Sequence, residues 1–177
     1  HRDKIKINHL DKGFAKLGEA WHKAMEDSSP DDWICEKRFY ADVNGYVISG
    51  AIDGLEPVGK NLYNIWDYKL MSSYKAKTDL SEFVKQLNIY AYILKKNNIN
   101  VKNLYISAMI RDWTVNRISD PNYPQTNLPV FKLEKWDDTV TEQYVMERVE
   151  HHTQEELPEC TDEEMWSTGD TFIVESL

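Results

Sequence analysis

Asn64-Ile65-Trp66-Asp67-Tyr68-Lys69-Leu70 sets an acid and a base inside a largely apolar run. Ile65, Trp66, Tyr68 and Leu70 read as a buried strand, and they enclose two charges. Asp67 and Lys69 are two residues apart, so on a strand both side chains leave the same face. Burying charge is costly unless it is paired or bound to a metal. Taken alone, the stretch fits either a buried ion pair in an α/β sheet or one side of a metal site.

Upstream, Ser49-Gly50-Ala51-Ile52-Asp53-Gly54 reads as a second strand with a lone carboxylate. The runs 33–43 and 46–55 are separated by Asn44-Gly45, the strongest short signal for a two-residue type I′ turn. With Val43 paired to Tyr46, counting outward sets Glu36 opposite Asp53, their Cβ atoms ~4.5–5.5 Å apart. Two carboxylates that close repel unless something positive lies between them. A bulge at Gly50 would break this register, and an ion pair with a nearby Lys or Arg is the plainer role for Glu36.

Further upstream, Leu10, Phe14, Leu17, Trp21 and Met25 recur at helical spacing and predict a helix over residues 11–26. Asp27-Ser28-Ser29-Pro30 ends it. Gly18 and His22 are one turn apart on the flank of that stripe. A glycine there is expected to let the helix lie close on a sheet, which His22 would then reach; a boundary histidine is the plainer alternative.

Downstream of the central stretch, residues 71–78 are polar and include Lys75 and Lys77. Asp79-Leu80-Ser81-Glu82 reads as a capping box, followed by the helical stripe Leu80, Phe83, Val84, Leu87, Ala91 and Leu94. Gln86 and Tyr90 lie one turn apart on its flank. Residues 101–110 alternate as a further strand, 111–125 read as a loop, and 130–133 as an edge strand. Thr139-Val140-Thr141-Glu142 reads as a second capping box, opening a helix to about residue 154, with His151-His152 solvated near its end. Beyond residue 157 the chain is acidic, and Phe172-Ile173-Val174 is strand-like.

A chain of 177 residues fits one domain spanning 1–177 with a core of ordinary size. The net charge of −9 argues against coating nucleic acid by bulk electrostatics. It leaves room for an enzyme whose acids gather at a metal. DNA contact then rests on a local basic patch: Lys75 and Lys77, or else Arg111 or Lys95-Lys96. The two cysteines, Cys35 and Cys160, are too few for a disulfide framework and fit a reducing compartment. No apolar run approaches the ~20 residues that span a membrane. The chain opens at His1 rather than Met, which leaves room for a segment ahead of it.

The ordered set of Gly18-x-x-x-His22, Gly50-x-x-Asp53, Asp67-Tyr68-Lys69 and Gln86-Leu87-x-x-Tyr90 resembles the RecB-like branch of the PD-(D/E)XK nucleases. The resemblance extends through Arg111-Asp112-Trp113, Tyr123-Pro124 and Cys160…Trp166, which look like the phage-encoded members, and so covers about residues 22–166. It implies an α/β fold with a restriction-endonuclease-like core, α-β-β-β-α-β, and a C-terminal helical extension. It also implies a metal-dependent deoxyribonuclease, exonuclease-like, acting in phage or bacterial DNA recombination, repair or processing. The setting would be the cytoplasm of a bacterium or a phage-infected host, and the partners DNA and a phage or host recombination protein. Oligomeric state stays open.

Hard oxygen ligands suit Mg²⁺ or Mn²⁺. Asp53 and Asp67 would supply them, with the Tyr68 backbone carbonyl as the family implies. His22 would add a nitrogen that favours Mn²⁺, and Glu36 is a further candidate ligand. Lys69 would orient or deprotonate the attacking water. Gln86 and Tyr90 enter only through the resemblance, as residues that orient the lysine or touch substrate. Some relatives, the CRISPR-associated adaptation nucleases among them, hold a four-cysteine iron–sulfur cluster; with two cysteines, no cluster is expected here. The alternative function is a catalytically weak DNA- or partner-binding module on the same fold, against which the intact Asp53, Asp67 and Lys69 speak. An aromatic-lined small-ligand binder would explain the Trp and Tyr content but not the ordered motifs.

Overall fold

Asn44 and Gly45, at φ 54° and 85°, both adopt the left-handed conformation that a type I′ turn requires. They join β1 (Ile34–Val43) to β2 (Tyr46–Gly59), with Val43 paired to Tyr46 as the sequence predicts. The computed structural model describes residues 9–154 and 159–160. Ahead of the hairpin lies α1 (His9–Ser28). After it, β3 (Leu62–Met71) completes an antiparallel meander. A short helix α2 (Ser73–Lys77) and the longer α3 (Ser81–Lys96) then cross to β4 (Asn100–Ile110), which runs parallel to β3. β5 (Val130–Leu133) closes the sheet antiparallel to β4, and α4 (Asp138–Thr153) follows. The strand order is β1-β2-β3-β4-β5. This mixed sheet with its flanking helices is the expected α-β-β-β-α-β core with a C-terminal helix.

The core forms where the period-2 pattern of the strands meets the helical stripe of α3. Phe39, Ala41 and Val43 of β1, Ile65 of β3, and Leu104, Ile106, Ala108 and Ile110 of β4 are buried with Leu87, Ile93 and Leu94. Val145 and Val149 of α4 join the same cluster. The central strand is less buried than its composition implies: Ile65 and Tyr68 are inside, but Trp66 and Leu70 are half-exposed. Trp66 stacks between Trp33 and Tyr105, and its indole N–H donates to Glu56 at 2.8 Å.

Local signals were overridden at several points. Asp79 does not open a capping box. It accepts from both the backbone N–H and the hydroxyl of Ser81, and the helix starts after Leu80 without a side-chain cap. The helix expected from Thr139 starts at Asp138 and likewise has no side-chain cap. Residues 73–77, marked in the sequence only as polar, form α2: Ser72 caps it by accepting from Lys75 N, and Asp112 accepts from Ser73 N and Ser73 Oγ at 2.6 and 2.9 Å. Arg111 makes no ion pair with Asp112 within 4.0 Å, although its charge helps hold the Asp112 carboxyl low. Trp113 Nε1 donates to Pro124 O, and the buried Tyr123 hydroxyl accepts from Thr114 N, so the 111–125 loop is braced by the residues singled out in it. Cys160 is exposed, whereas Trp166 and Phe172-Ile173-Val174 lie outside the described residues.

Asn88 joins the helices to the sheet's far end. It is 0% exposed, donates to Val84 O and Glu134 O, and accepts from Trp136 N. Asn88→Ala strands the Trp136 N–H and the Glu134 carbonyl, and is expected to destabilise by about 3 kcal/mol. Urea unfolding checks this as a lower midpoint at unchanged slope; a loss under about 1 kcal/mol would mean that water replaces the amide.

Candidate active site

The site lies where the sheet forks. β2 pairs with β3 only from Gly54↔Trp66 outward to the connecting turn. Before Gly54, β2 bonds to β1 alone, and after Trp66, β3 bonds to β4 alone. At the fork the Asp53 carboxylate accepts the Tyr68 backbone N–H at 2.7 Å, in place of a strand carbonyl. By the same register Asp53 and Asp67 face each other across the fork.

Glu36 holds the register position opposite Asp53, between the ladder pairs Cys35↔Gly54 and Lys37↔Ile52. No bulge at Gly50 disturbs that count. Glu36 itself leaves the ladder, with φ +49°. A left-handed conformation costs a residue with a side chain about 1–2 kcal/mol, and such strain clusters at functional sites. No local signal in the sequence marks it.

His22 reaches this point from α1. Its Nδ1 lies 3.6 Å from Glu36 Oε1 and 3.5 Å from Asp53 Oδ2. One ligand atom from each of His22, Glu36 and Asp53 lies within 4.8 Å of the others. The His22 ring meets the Tyr68 ring edge-on at 6.0 Å. The glycine one turn earlier does not act as expected: a Cβ built at Gly18 would meet nothing within 4 Å, so Gly18 is not needed for close packing on the sheet. It borders an open groove of about 490 Å³ that leads along α1 to His22 and Glu36.

Asp67, 2% exposed, and Lys69 share one face of β3, as the sequence predicts. Lys69 Nζ lies 2.7 Å from Asp67 Oδ2, a buried oxygen with no other hydrogen-bond partner among the described residues. The ammonium also stands 5.6 Å from the centre of the Phe83 ring. Burial, then the charge of Asp67, pushes the Asp53 carboxyl up to about 6, with Tyr68 N–H, His22 and Lys69 opposing. Burial likewise raises Asp67, opposed mainly by Lys69.

Gln86 and Tyr90 hydrogen-bond to each other at 2.8 Å. The Tyr90 ring lies over Gly50, where an added Cβ would come within 2.7 Å of it. That close approach explains the glycine, and it sets Tyr90 against β2 rather than against Lys69. Lys75 and Lys77 do not form an open basic patch, because Glu82 and Asp120 pair with them at 3.0 and 3.5 Å.

An oxygen-rich set with one imidazole nitrogen, an under-used buried oxygen and repelling acids matches what a hard divalent ion requires. Mg²⁺ or Mn²⁺ fits the donors at this fork.

The family model of the PD-(D/E)XK nuclease superfamily matches residues 6–165, and the chain belongs to that superfamily. Among solved structures it is similar to SSO0001, at 15% identity and a TM-score of 0.54, with 80% of this chain covered. It is also similar to a protein from Eubacterium rectale named as a presumed exonuclease, at 13% identity and a TM-score of 0.47, with 93% of this chain covered. The chain spans 63% and 62% of the length of those two proteins. Curated proteins gave no match.

The raised Asp53 carboxyl has a measurable consequence. Its folded value of about 6 stands above the ordinary 3.8, so between those values the folded chain holds a proton that the unfolded chain releases. Stability from this group therefore rises as pH falls through about 6 and is lost as pH rises again. Without metal, Asp53→Asn is expected to raise stability by about 0.5–2 kcal/mol near neutral pH. It should also flatten the gain on going to about pH 5. Thermal melts in chelator check both; a variant destabilised by several kcal/mol would show Asp53 locked in a structural ion pair instead.

Proposed function

We propose that this chain is a Mg²⁺- or Mn²⁺-dependent deoxyribonuclease of the RecB-like branch, exonuclease-like, in phage or bacterial DNA recombination, repair or processing. The observation that carries the reading is the convergence of His22, Glu36 and Asp53 beside the Asp67–Lys69 pair at one fork of the sheet. A bacterial or infected-host cytoplasm suits such work. Among the described residues no helix is long and apolar enough to cross a membrane.

Asp53 and Asp67 are the central metal ligands in this reading, with His22 and Glu36 beside them. The Tyr68 carbonyl is a further donor: the N–H and C=O of a strand residue point to the same neighbour, and the Tyr68 N–H already faces the fork through Asp53. A divalent ion held by these residues would supply an activated water and neutralise charge developing on the phosphoryl oxygens. Lys69 would orient the attacking water and donate to a phosphoryl oxygen; its ammonium pairs with Asp67, and its charge also acts on Asp53. Burial of Asp53 and Asp67 keeps bulk water from competing for these groups. Gln86 and Tyr90, bonded to each other on α3, enter this reading only as residues that would touch the substrate strand, with Tyr90 packed over Gly50 of β2.

Purified protein with end-labelled linear DNA and closed circular DNA, in Mn²⁺ and in chelator, tests the reading. Linear DNA alone is expected to disappear, and only with metal; nicked circles would make it an endonuclease. Asp53→Ala, Asp67→Asn and Lys69→Ala should each lower cleavage by about 100-fold or more. Undiminished cleavage by two of them would overturn the assignment. His22→Ala is expected to weaken Mn²⁺ binding by about tenfold or more, with the metal-free melting temperature nearly unchanged. Normal Mn²⁺ affinity with a large fall in stability would make His22 a packing residue.

A further inference from the structure

Phe14, Gly18 and His22 follow one another at four-residue steps, and so line one side of α1. Glycine inside a helix is less stable than alanine, and no neighbour requires it at position 18. The bare backbone there borders the groove that opens on His22 and Glu36. One turn before Gly18, just outside the groove's lining, the Arg111 guanidinium lies 4.6 Å from the centre of the Phe14 ring, which is 44% exposed. Arg111 is fixed to the catalytic strand: its backbone N–H donates to Met71 O at 3.0 Å, two residues beyond Lys69.

Several cations lack an ion pair within 4.0 Å, Arg117 over the Tyr123 ring among them, but Arg111 is the one whose ring partner, Phe14, lies on α1 one turn before Gly18. Lys16, Lys23, Lys75, Lys77, Lys95 and Lys96 are each matched by a carboxylate. Asp112, the carboxylate next to Arg111 in the chain, is engaged by Ser73. Among the described residues Arg111 has a ring partner and no carboxylate within 4.0 Å. The groove's own Glu19 and Glu26 are already paired with Lys16 and Lys23. A planar guanidinium stacked on an aromatic ring keeps its donors free for a phosphate, and the exposed Phe14 ring offers a surface on which a base can stack.

We propose that Phe14 and Arg111 form a nucleotide-binding subsite, and that the DNA strand reaches it from the cutting site by passing over Gly18. This rests on the nuclease reading above. Phe14 is two four-residue steps from His22, about 12 Å along the helix. At about 3.4 Å per stacked nucleotide, the subsite takes a phosphate and base about three nucleotides from the bond cut.

Two substrates test it. Thymidine 5′-(p-nitrophenyl phosphate) fills only the cutting site, whereas a long end-labelled single strand fills both. In Mn²⁺, Arg111→Gln and Phe14→Leu should raise KM for the long strand about tenfold, with kcat and cleavage of the small ester unchanged. Arg111→Gln should also reduce the salt slope of binding by about 1. Gly18→Leu should lose the long strand while keeping Mn²⁺ affinity, small-ester cleavage and a melting temperature at or above the parent's. Gly13→Ala, in the same helix but away from the groove, should change neither substrate. Equal losses on both substrates, or no loss on the long one, would reduce the Arg111–Phe14 contact to a clip holding α1. Binding of the labelled strand in Ca²⁺, read by anisotropy, separates the two ideas. A parent that binds without cutting contradicts the nuclease reading alone, and variants that bind like that parent contradict the subsite.

Discussion

Beyond Gly54 and Trp66 the second and third strands stop bonding to each other, and the Asp53 carboxylate takes the Tyr68 N–H that a strand carbonyl would otherwise accept. The rest of the site depends on that substitution. It holds Asp53 in the plane of the sheet, sets it against Asp67, and leaves a gap that α1 fills with His22. It also places acids where neither can shed its charge into water. The resulting repulsion appears as a carboxyl raised to about 6 at Asp53 and a raised Asp67.

A fold selected for stability alone would not keep this arrangement. Two buried acids, a glutamate in a left-handed conformation and a glycine in a helix interior each cost free energy. All lie within the fork or along the groove that leads to it. The stabilising side of the structure lies elsewhere, in the alternating core of β1, β3 and β4 against α3, and in the three hydrogen bonds of Asn88. Separating the two lets the fork be strained without loosening the sheet.

Much of this was legible in the sequence, because it rests on short-range rules. Asn44-Gly45 defines a turn, a turn defines a register, and the register brings Glu36 to Asp53. Period-2 spacing puts Asp67 and Lys69 on one face. What escaped depends on distant partners. A five-residue helix is too short to show a period, and beside its local Ser72 cap it leans on Asp112, 39 residues beyond Ser73. Gly18 was read as a packing residue because sequence shows the missing side chain but not the empty space beside it. Lys75 and Lys77 looked free because their acids, Glu82 and Asp120, are brought to them only by the fold. The conformation of Glu36 has no sequence signature at all, since glutamate is not a residue that favours positive φ.

The central claim is that the fork gathers its acids and His22 around one divalent ion. Anomalous scattering from crystals grown with Mn²⁺ tests it most directly. A strong manganese peak is expected at the fork, bounded by His22, Glu36 and Asp53, with Asp67 turned toward it and Lys69 released from Asp67. A fork without manganese in crystals that bind it elsewhere, with Lys69 still held on Asp67, would contradict the account.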